Sequence, residues 1–299
     1  MTKRSFRDLW ATSSDGRRLH ARSYGDDEAR TPPIVCLPGL ARNAADFHDL
    51  AMALTDPDDE PPRHVVAVDY RGRGQSDHDP DPANYSVPVE TQDLLTLLDR
   101  YDVKRPILIG SSRGGIIAMA VAAGRPGYVR AAVLNDIGPV IERAGLLRIK
   151  GYVGKLREPR DLDEAAGLIE GLFGQQFPEL RDRDWKRWAA NTWSDRTGKL
   201  VLSYDPALAR TLDPIGPDAE LPNLWPMFEA LKSVPVLVVR GANSDLLSAE
   251  TVEEMRGAHP DLDVLTVIDQ GHTPLLETPD VLSQVRRFVA RVERLAAAD

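Results

Sequence analysis

The chain has 299 residues, 42% of them hydrophobic and 28% charged, with a formal net charge of −9. This composition is ordinary for a soluble globular protein, and the length fits one large domain or a core with one insertion. The negative charge argues against nucleic acid or a membrane surface as partner. The first residues lack the apolar stretch of a secretory leader, and no apolar run could span a bilayer, so we expect a cytoplasmic protein.

Predicted strands and helices alternate in the first half of the chain. Two strand-like segments, 9–12 and 19–24, flank Asp15-Gly16, which is a strong signal for a β-hairpin. Further predicted strands cover residues 33–37, 64–69 and 129–134, and predicted helices cover residues 44–54 and 89–101. This alternation favours an α/β fold with a mostly parallel sheet covered by helices on both faces.

The most informative stretch runs from Ile107 to Ala120 and contains Gly110-Ser111-Ser112-Arg113-Gly114. An apolar segment leads into this Gly-x-Ser-x-Gly pattern, and an alanine-rich segment follows it. A strand that turns into a helix within one residue forces strained dihedral angles on that residue, and flanking glycines remove the colliding Cβ atoms. The stretch therefore predicts Ser112 as an exposed nucleophile, with a packed turn serine as the alternative.

Two other motifs in the acidic loop that follows the 64–69 strand are rejected. A dinucleotide fingerprint would need a third glycine where the chain has Asp77. A calcium loop starting at that residue would need glycine at its sixth position and glutamate at its twelfth, where the chain has Pro82 and Pro88. We therefore expect neither a nucleotide cofactor nor a metal site here.

The alternation of strands and helices stops at Pro139 and resumes near residue 233. Between them, the sequence shows helical patterns at 162–173, 184–191 and 207–212 and no clear buried strand. We interpret residues 139–232 as a helical cap over a core formed by residues 1–138 and 233–299. Its aromatic side chains are expected mostly to pack in its interior, with one or two lining a pocket; they are Phe173, Phe177, Trp185, Trp188, Trp193, Tyr204, Trp225 and Phe228.

The last part of the chain supplies candidates for a base and an acid. Serine needs a neighbouring base to act as a nucleophile, and histidine has a suitable pKa. Among the six histidines, only His272 follows a predicted strand in a loop with a glycine before it, at the same edge of the sheet as Ser112. Asp245 also follows a strand and completes the order Ser, Asp, His. Asp136, after an earlier strand, is the alternative acid.

These motifs together resemble the α/β-hydrolase fold superfamily over nearly the whole chain. The matching segments are 69–76, 110–115, 241–245 and Gly271-His272. The resemblance implies an eight-stranded sheet, a cap between the sixth and seventh strands, and catalysis by Ser112, Asp245 and His272 without a metal or organic cofactor. It also implies an oxyanion hole made by the backbone N–H groups of Leu40 and Arg113. The chain departs from the common pattern in having Pro38-Gly39 instead of His-Gly.

The resemblance says little about the substrate. The strand-to-helix turn at Ser112 is the nucleophile elbow of this fold. Serine at the elbow argues against dehalogenases and epoxide hydrolases of this fold, which use aspartate there. We expect a serine esterase for small to medium, apolar acyl substrates that acts as a monomer or homodimer. A lactonase remains open, and so does a C–C bond hydrolase, although Thr273 stands where such enzymes usually carry tryptophan. A non-enzymatic receptor-like member is the remaining class of alternative.

Overall fold

The computed structural model describes residues 5–56, 58 and 61–298. Residues 1–4, part of the stretch searched for a leader, lie outside the described residues.

The main sheet contains β1 (Arg7–Thr12), β2 (Arg18–Gly25), β3 (Ile34–Leu37), β4 (His64–Asp69), β5 (Ile107–Ser111), β6 (Ala131–Asn135), β9 (Val236–Gly241) and β10 (Leu262–Val267). Its eight strands have the order β1-β2-β4-β3-β5-β6-β9-β10, and β2 alone among them runs antiparallel to its neighbours on both sides, β1 and β4. The predicted eight-stranded, mostly parallel sheet is confirmed.

Helices cover both faces of this sheet, as the predicted alternation indicated. They are α1 (His48–Leu54), α2 (Val87–Arg100), α3 (Arg113–Gly124), α8 (Ala249–Ala258) and α9 (Pro279–Ala298). Strand β3 shows why the sheet needs two layers, because Val35 and Leu37 pack toward α2 and α3 while Ile34 and Cys36 pack toward α1 and α9. Successive side chains on a strand point to opposite faces, so a continuous apolar strand must be covered twice.

The segment between β6 and β9 differs in part from the predicted all-helical cap. It contains α4 (Arg143–Tyr152), α5 (Leu162–Phe173), α6 (Asp182–Thr192), the hairpin strands β7 (Trp193–Arg196) and β8 (Lys199–Leu202), and α7 (Trp225–Glu229). Helices α4 and α7 and the hairpin were not predicted, whereas the pattern at 207–212 corresponds to a 3-10 helix, Pro206–Leu212. The hairpin turns at Thr197-Gly198, both with positive φ, and Thr-Gly is not among the strong turn signals.

The cap segment, residues 139–232, has a small core of its own. Phe177, Trp185 and Trp193 are each at most 2% exposed and pack together between α5, α6 and the hairpin. The sequence prediction that most cap aromatics pack in its interior is consistent with this cluster. The division of the chain into a core and a cap stays a prediction.

Among the described residues, no helix is long and apolar enough to cross a membrane. The cytoplasmic location and the oligomeric state stay predictions from the sequence.

The packing of α3 against the sheet generates a first prediction. A Cβ atom on Gly114 would lie 2.0 Å from the carbonyl oxygen of Leu37, whereas one on Gly124, in the same helix, would meet nothing within 4 Å. We expect Gly114→Ala to lower the free energy of unfolding by about 2–3 kcal/mol through overpacking. Gly124→Ala, the matched control, should be neutral or stabilising by up to about 1 kcal/mol. Urea unfolding followed by circular dichroism checks both, and equal midpoints would contradict the close approach.

Candidate active site

Ser112 occupies the strained turn between β5 and α3. Its φ is +50°, a region that non-glycine residues rarely adopt, and such strain is typical of functional sites. The turn is possible because glycines stand two residues before and after it: a Cβ on Gly110 would lie 2.5 Å from the backbone of Gly114. The sharp turn holds the Ser112 side chain out at the carboxyl end of the sheet, as the sequence predicted.

A chain of hydrogen bonds joins Ser112 to a histidine and then to a buried carboxylate. Nε2 of His272 lies 2.8 Å from Oγ of Ser112, and Nδ1 of His272 lies 2.8 Å from Oδ2 of Asp136. Since a carboxylate can only accept, Nδ1 carries the proton and Nε2 is left to accept the Ser112 hydroxyl. The predicted pairing of Ser112 with His272 is therefore present in the structure.

The carboxylate that accepts the hydrogen bond from His272 belongs to Asp136 and not to Asp245. Asp136 follows β6 with φ +56° and is fully buried. Its carboxylate also accepts hydrogen bonds from the backbone N–H of Gly241 at 2.8 Å and from the hydroxyl of Ser244 at 2.5 Å. These donors fix both oxygens, so that Asp136 holds the imidazole of His272 in one orientation.

The assignment of Asp245 as the acid is wrong, because this carboxylate is bound elsewhere. Arg148 of α4 forms a bidentate pair with it, with N–O distances of 2.6 and 2.8 Å. Burial is the largest single effect and acts to raise the pKa of Asp245, but the hydrogen bonds from Arg148 and Gln176 and the attraction to Arg148 and His272 together outweigh it, so the pKa lies below its ordinary value. The backbone carbonyl of Asp245 also accepts from Gly145 N at 2.9 Å. Asp245 therefore anchors α4 of the cap segment to the sheet.

Of the two backbone groups predicted for an oxyanion hole, that of Arg113 directly follows Ser112, and that of Leu40 belongs to a loop that lines the same cavities as Ser112. Arg113 is the first residue of α3, and the first N–H groups of a helix have no partner within it. On the other side, a Cβ built on Gly39 would lie 3.8 Å from Cβ of Ser112. Arg42 N donates to the Gly39 carbonyl at 3.2 Å, which fixes the peptide plane that carries the Leu40 N–H.

A buried ion network connects the loop of Leu40 with the start of α3, and no pattern in the sequence indicated it. The fully buried Glu90 accepts from Nη1 of Arg73 at 2.6 Å and from Nε of Arg113 at 2.8 Å. Arg73 also donates from Nε to the carbonyl of Leu40 at 2.8 Å. One carboxylate therefore links the loop of Leu40 to the start of α3. This network supports the loop in a chain that has Pro38 where the superfamily usually has histidine.

Two cavities meet at Ser112. The smaller, of about 150 Å³, contains His272 and three of the predicted cap aromatics, together with Tyr152, which the sequence did not suggest. Those three aromatics are Phe173, Trp188 and Tyr204. The larger is a mainly apolar groove of about 900 Å³ that starts at Ser112 and Leu40 and follows α3. The prediction that cap aromatics, the Leu40 loop and the elbow share a pocket is confirmed for the smaller cavity.

Among the described residues, no group of three or more His, Cys, Asp or Glu side chains is arranged to hold a metal ion.

Residues 34–285 match the family model of the alpha/beta hydrolase family. Together with the sheet order and the elbow, this match shows that the chain belongs to that family.

Relatives of this chain carry hydrolase names. It is 34% identical to 3-hydroxybutyrate-oligomer hydrolase of Cupriavidus necator, over 90% of this chain and 93% of that protein. It is 28% identical to the sn-1-specific diacylglycerol lipase ABHD11 of Mus musculus, over 89% and 83% of the two chains. The crystal structure of an alpha/beta hydrolase from Novosphingobium aromaticivorans superposes with a TM-score of 0.88 at 37% identity, covering 96% of this chain and 99% of that one. General hydrolase activity is supported by these relatives.

The contrast between the two aspartates gives a second prediction. Replacing Asp136 by Asn should leave the fold intact but disturb the tautomer of His272, and we expect covalent labelling of Ser112 by a fluorophosphonate to slow by about 10³–10⁴-fold. Asp245→Asn is the matched control, because it removes a carboxylate that contacts Arg148 instead of His272, and its labelling rate should stay within about tenfold of wild type. Slow labelling in Asp245→Asn with normal labelling in Asp136→Asn would restore the original assignment.

Proposed function

We propose that this protein is a serine hydrolase that cleaves carboxylic esters through an acyl-enzyme. The observation that carries the proposal is the hydrogen-bonded chain from Ser112 through His272 to Asp136. A nucleophile bonded to a base, with the base oriented by a third group, is the arrangement needed for acyl transfer.

The mechanism follows from the positions of the atoms. Oγ of Ser112 attacks the acyl carbonyl carbon while Nε2 of His272 takes the hydroxyl proton, and Asp136 stabilises the imidazolium. The N–H groups of Leu40 and Arg113 stabilise the negative oxygen of the tetrahedral intermediate. His272 then gives the proton to the leaving alcohol. In the second half, His272 takes a proton from water, the resulting hydroxide attacks the acyl-enzyme, and the acid is released as Ser112 recovers its proton.

Two kinds of observation support neutral ester substrates. The cavities beside Ser112 have mainly apolar linings. Each arginine that lines them among the described residues is already paired with a carboxylate; these are Arg42, Arg113, Arg125 and Arg187. A neutral, apolar ester suits such a site better than an anion. The relatives named for hydroxy-acid oligomers and for diacylglycerol also point to ester bonds, since both compounds contain them.

The alternatives from the sequence are lactonase and C–C bond hydrolase activity on the same residues. A relative named 2-(acetamidomethylene)succinate hydrolase, 27% identical over 86% of this chain, shows that other bonds are cleaved among similar proteins. A parallel panel of p-nitrophenyl esters of rising chain length, 3-hydroxybutyrate oligomers, lactones and a vinylogous diketone separates these reactions. Faster turnover of a lactone or of the diketone than of every ester would overturn the ester assignment.

The role of the nucleophile gives a third prediction. Ser112→Ala should abolish labelling by a fluorophosphonate and lower ester turnover by about 10⁴-fold or more, because the covalent step is lost. Ser111→Ala is the control at the neighbouring position, where the hydroxyl instead accepts from Asn135 at 2.9 Å, and this variant should still be labelled. Mass spectrometry of the labelled peptide checks both. Label that persists in Ser112→Ala would refute the assignment.

The network behind the oxyanion hole gives a fourth prediction. Glu90→Gln removes the charge that joins Arg73 to Arg113, and we expect kcat to fall by about tenfold or more, less than the 10²–10³ of a lost donor. Asp93→Asn is a matched control, because Asp93 is also buried on α2 and binds Arg71 at 2.6 Å, but it does not contact Arg73 or Arg113.

Both substitutions should lower the melting temperature, since each disturbs a buried ion pair. Only Glu90→Gln should lower kcat with little change in KM. Equal kcat values for the two variants at a temperature where both are folded would show that the network has a purely structural role.

A further inference from the structure

The groove that starts at Ser112 follows one face of α3. Ile116, Ala120 and Gly124 line it, and their spacing of four residues places them in a row along the helix. Val87 and Leu95 of α2 form a side wall. The third boundary is the cap segment, which contributes apolar side chains from residues 211–227. The groove is therefore a channel between two core helices and the cap segment, with the nucleophile at its inner end.

The groove is covered near Ser112 and open at its far end. Ile116 and Ala120 are partly buried, whereas Ala123 and Gly124 are exposed, and no atom lies within 4 Å of a Cβ built on Gly124. At a helical rise of 1.5 Å per residue, Arg113 and Ala120 are about 11 Å apart. An extended chain advances about 1.3 Å per carbon, given C–C bonds of about 1.5 Å and near-tetrahedral angles. The covered part therefore holds about eight carbons.

The inner end of the groove favours an uncharged chain. The Arg113 side chain lines it, but its guanidinium donates to Glu90 at 2.8 Å and to the carbonyl of Tyr85 at 3.1 Å. Its charge is thus already neutralised by a buried carboxylate. A carboxylate placed in the groove would lose its hydration without gaining a free cation there.

The positions of the two cavities decide which part of an ester enters the groove. In the tetrahedral intermediate, the negative oxygen points to the N–H groups of Leu40 and Arg113. The leaving oxygen must lie near Nε2 of His272, which protonates it. Among the described residues, His272 lines the smaller cavity and is absent from the lining of the groove. The remaining substituent, the acyl chain, is therefore directed into the groove.

We propose that the groove along α3 binds the acyl chain of medium-chain aliphatic esters, with about eight to ten carbons, and that the alcohol leaves through the smaller cavity. The proposal rests on the proposed esterase function and specifies its substrate class. Each methylene buried in the covered part contributes to binding, whereas carbons beyond Ala123 return to water.

A series of ethyl esters from acetate to hexadecanoate tests the length. We expect kcat/KM to rise by about two- to fourfold per methylene up to about eight carbons, in line with the free energy of burying a CH₂ group. The rise should level off between ten and twelve carbons. A maximum at acetate or butyrate, or a rise that continues unbroken to hexadecanoate, would overturn the proposal.

Two substitutions on α3 test the location. Ala120→Phe fills the covered part, and the ratio of kcat/KM for octanoate to that for acetate should fall at least tenfold. Ala123→Phe makes the same change at the exposed end, so it should preserve that ratio and alter only the ratio of dodecanoate to octanoate. Circular dichroism and melting temperatures establish that both variants fold. Equal effects of the two substitutions would contradict a graded groove along this helix.

A pair of isomeric esters tests the orientation, because ethyl octanoate and octyl acetate have the same composition but place the long chain on opposite sides of the ester. Ala120→Phe should reduce turnover of ethyl octanoate at least tenfold more than that of octyl acetate. The reverse result would place the alcohol in the groove and refute the assignment.

Binding of an uncleavable ketone separates this proposal from the proposed function. 2-Decanone carries an octyl chain on a carbonyl and needs no reaction, so its affinity for Ser112→Ala can be measured by isothermal titration calorimetry. Ala120→Phe in that background should weaken binding at least tenfold. If wild type cleaves esters but 2-decanone binds both variants equally or neither, the groove proposal fails alone. If the ketone binds as expected while no ester is cleaved and Ser112 is not labelled, the esterase function fails and the groove stands.

Discussion

The close contact between β5 and α3 is the constraint on which the rest of the site depends. The chain must change from a strand to a helix at one residue, and it does so at Ser112 with φ +50°. Such a backbone is unfavourable by about 1–3 kcal/mol and persists only where the surrounding packing enforces it. Here the enforcement comes from glycines whose Cβ atoms would collide with the backbone of the neighbouring segments. The same turn places the N–H of Arg113 at the helix start, where it has no partner within the helix.

Two arginines of the loop after β4 form separate buried ion-pair networks, and the two networks hold different segments in place. Arg71 binds three carboxylates, those of Asp15, Asp79 and Asp93, and it holds the loop after β4 to α2. Arg73, two residues later, reaches Glu90 and the Leu40 carbonyl. Buried ion pairs contribute little net stability compared with apolar packing, because desolvation offsets most of their attraction. The Arg73–Glu90 pair therefore serves mainly to orient the Leu40 loop, since paired charges with fixed hydrogen bonds define one geometry.

The cap segment is tied to the core at the positions where the site needs walls. Arg148 binds Asp245, the residue after Ser244, whose hydroxyl donates to the Asp136 carboxylate. Arg42 donates to Thr192 of α6 at 2.7 Å and lies in the loop that follows Leu40. These contacts join the cap to both the acid side and the oxyanion side of Ser112. The division of the space into a small cavity at His272 and a groove along α3 depends on this attachment.

Local patterns in the sequence were enough to predict the sheet, the elbow and the base. Apolar runs on buried strands, the Gly-x-Ser-x-Gly pattern and a histidine after the last strand are local signals, and each reflects a local physical requirement. The structure confirms the α/β architecture, and it joins Ser112 to His272 as these signals indicated.

The acid could be assigned only from the folded chain, because Asp136 and Asp245 both follow strands and both satisfy the order Ser, Asp, His. The difference lies in their partners: Ser244 and Gly241 direct Asp136 toward His272, while Arg148 binds Asp245. The β7–β8 hairpin, the Glu90 network and the groove were equally hidden. Each depends on residues far apart in the chain, and side-chain patterns along one segment carry no information about what packs against it or where space remains.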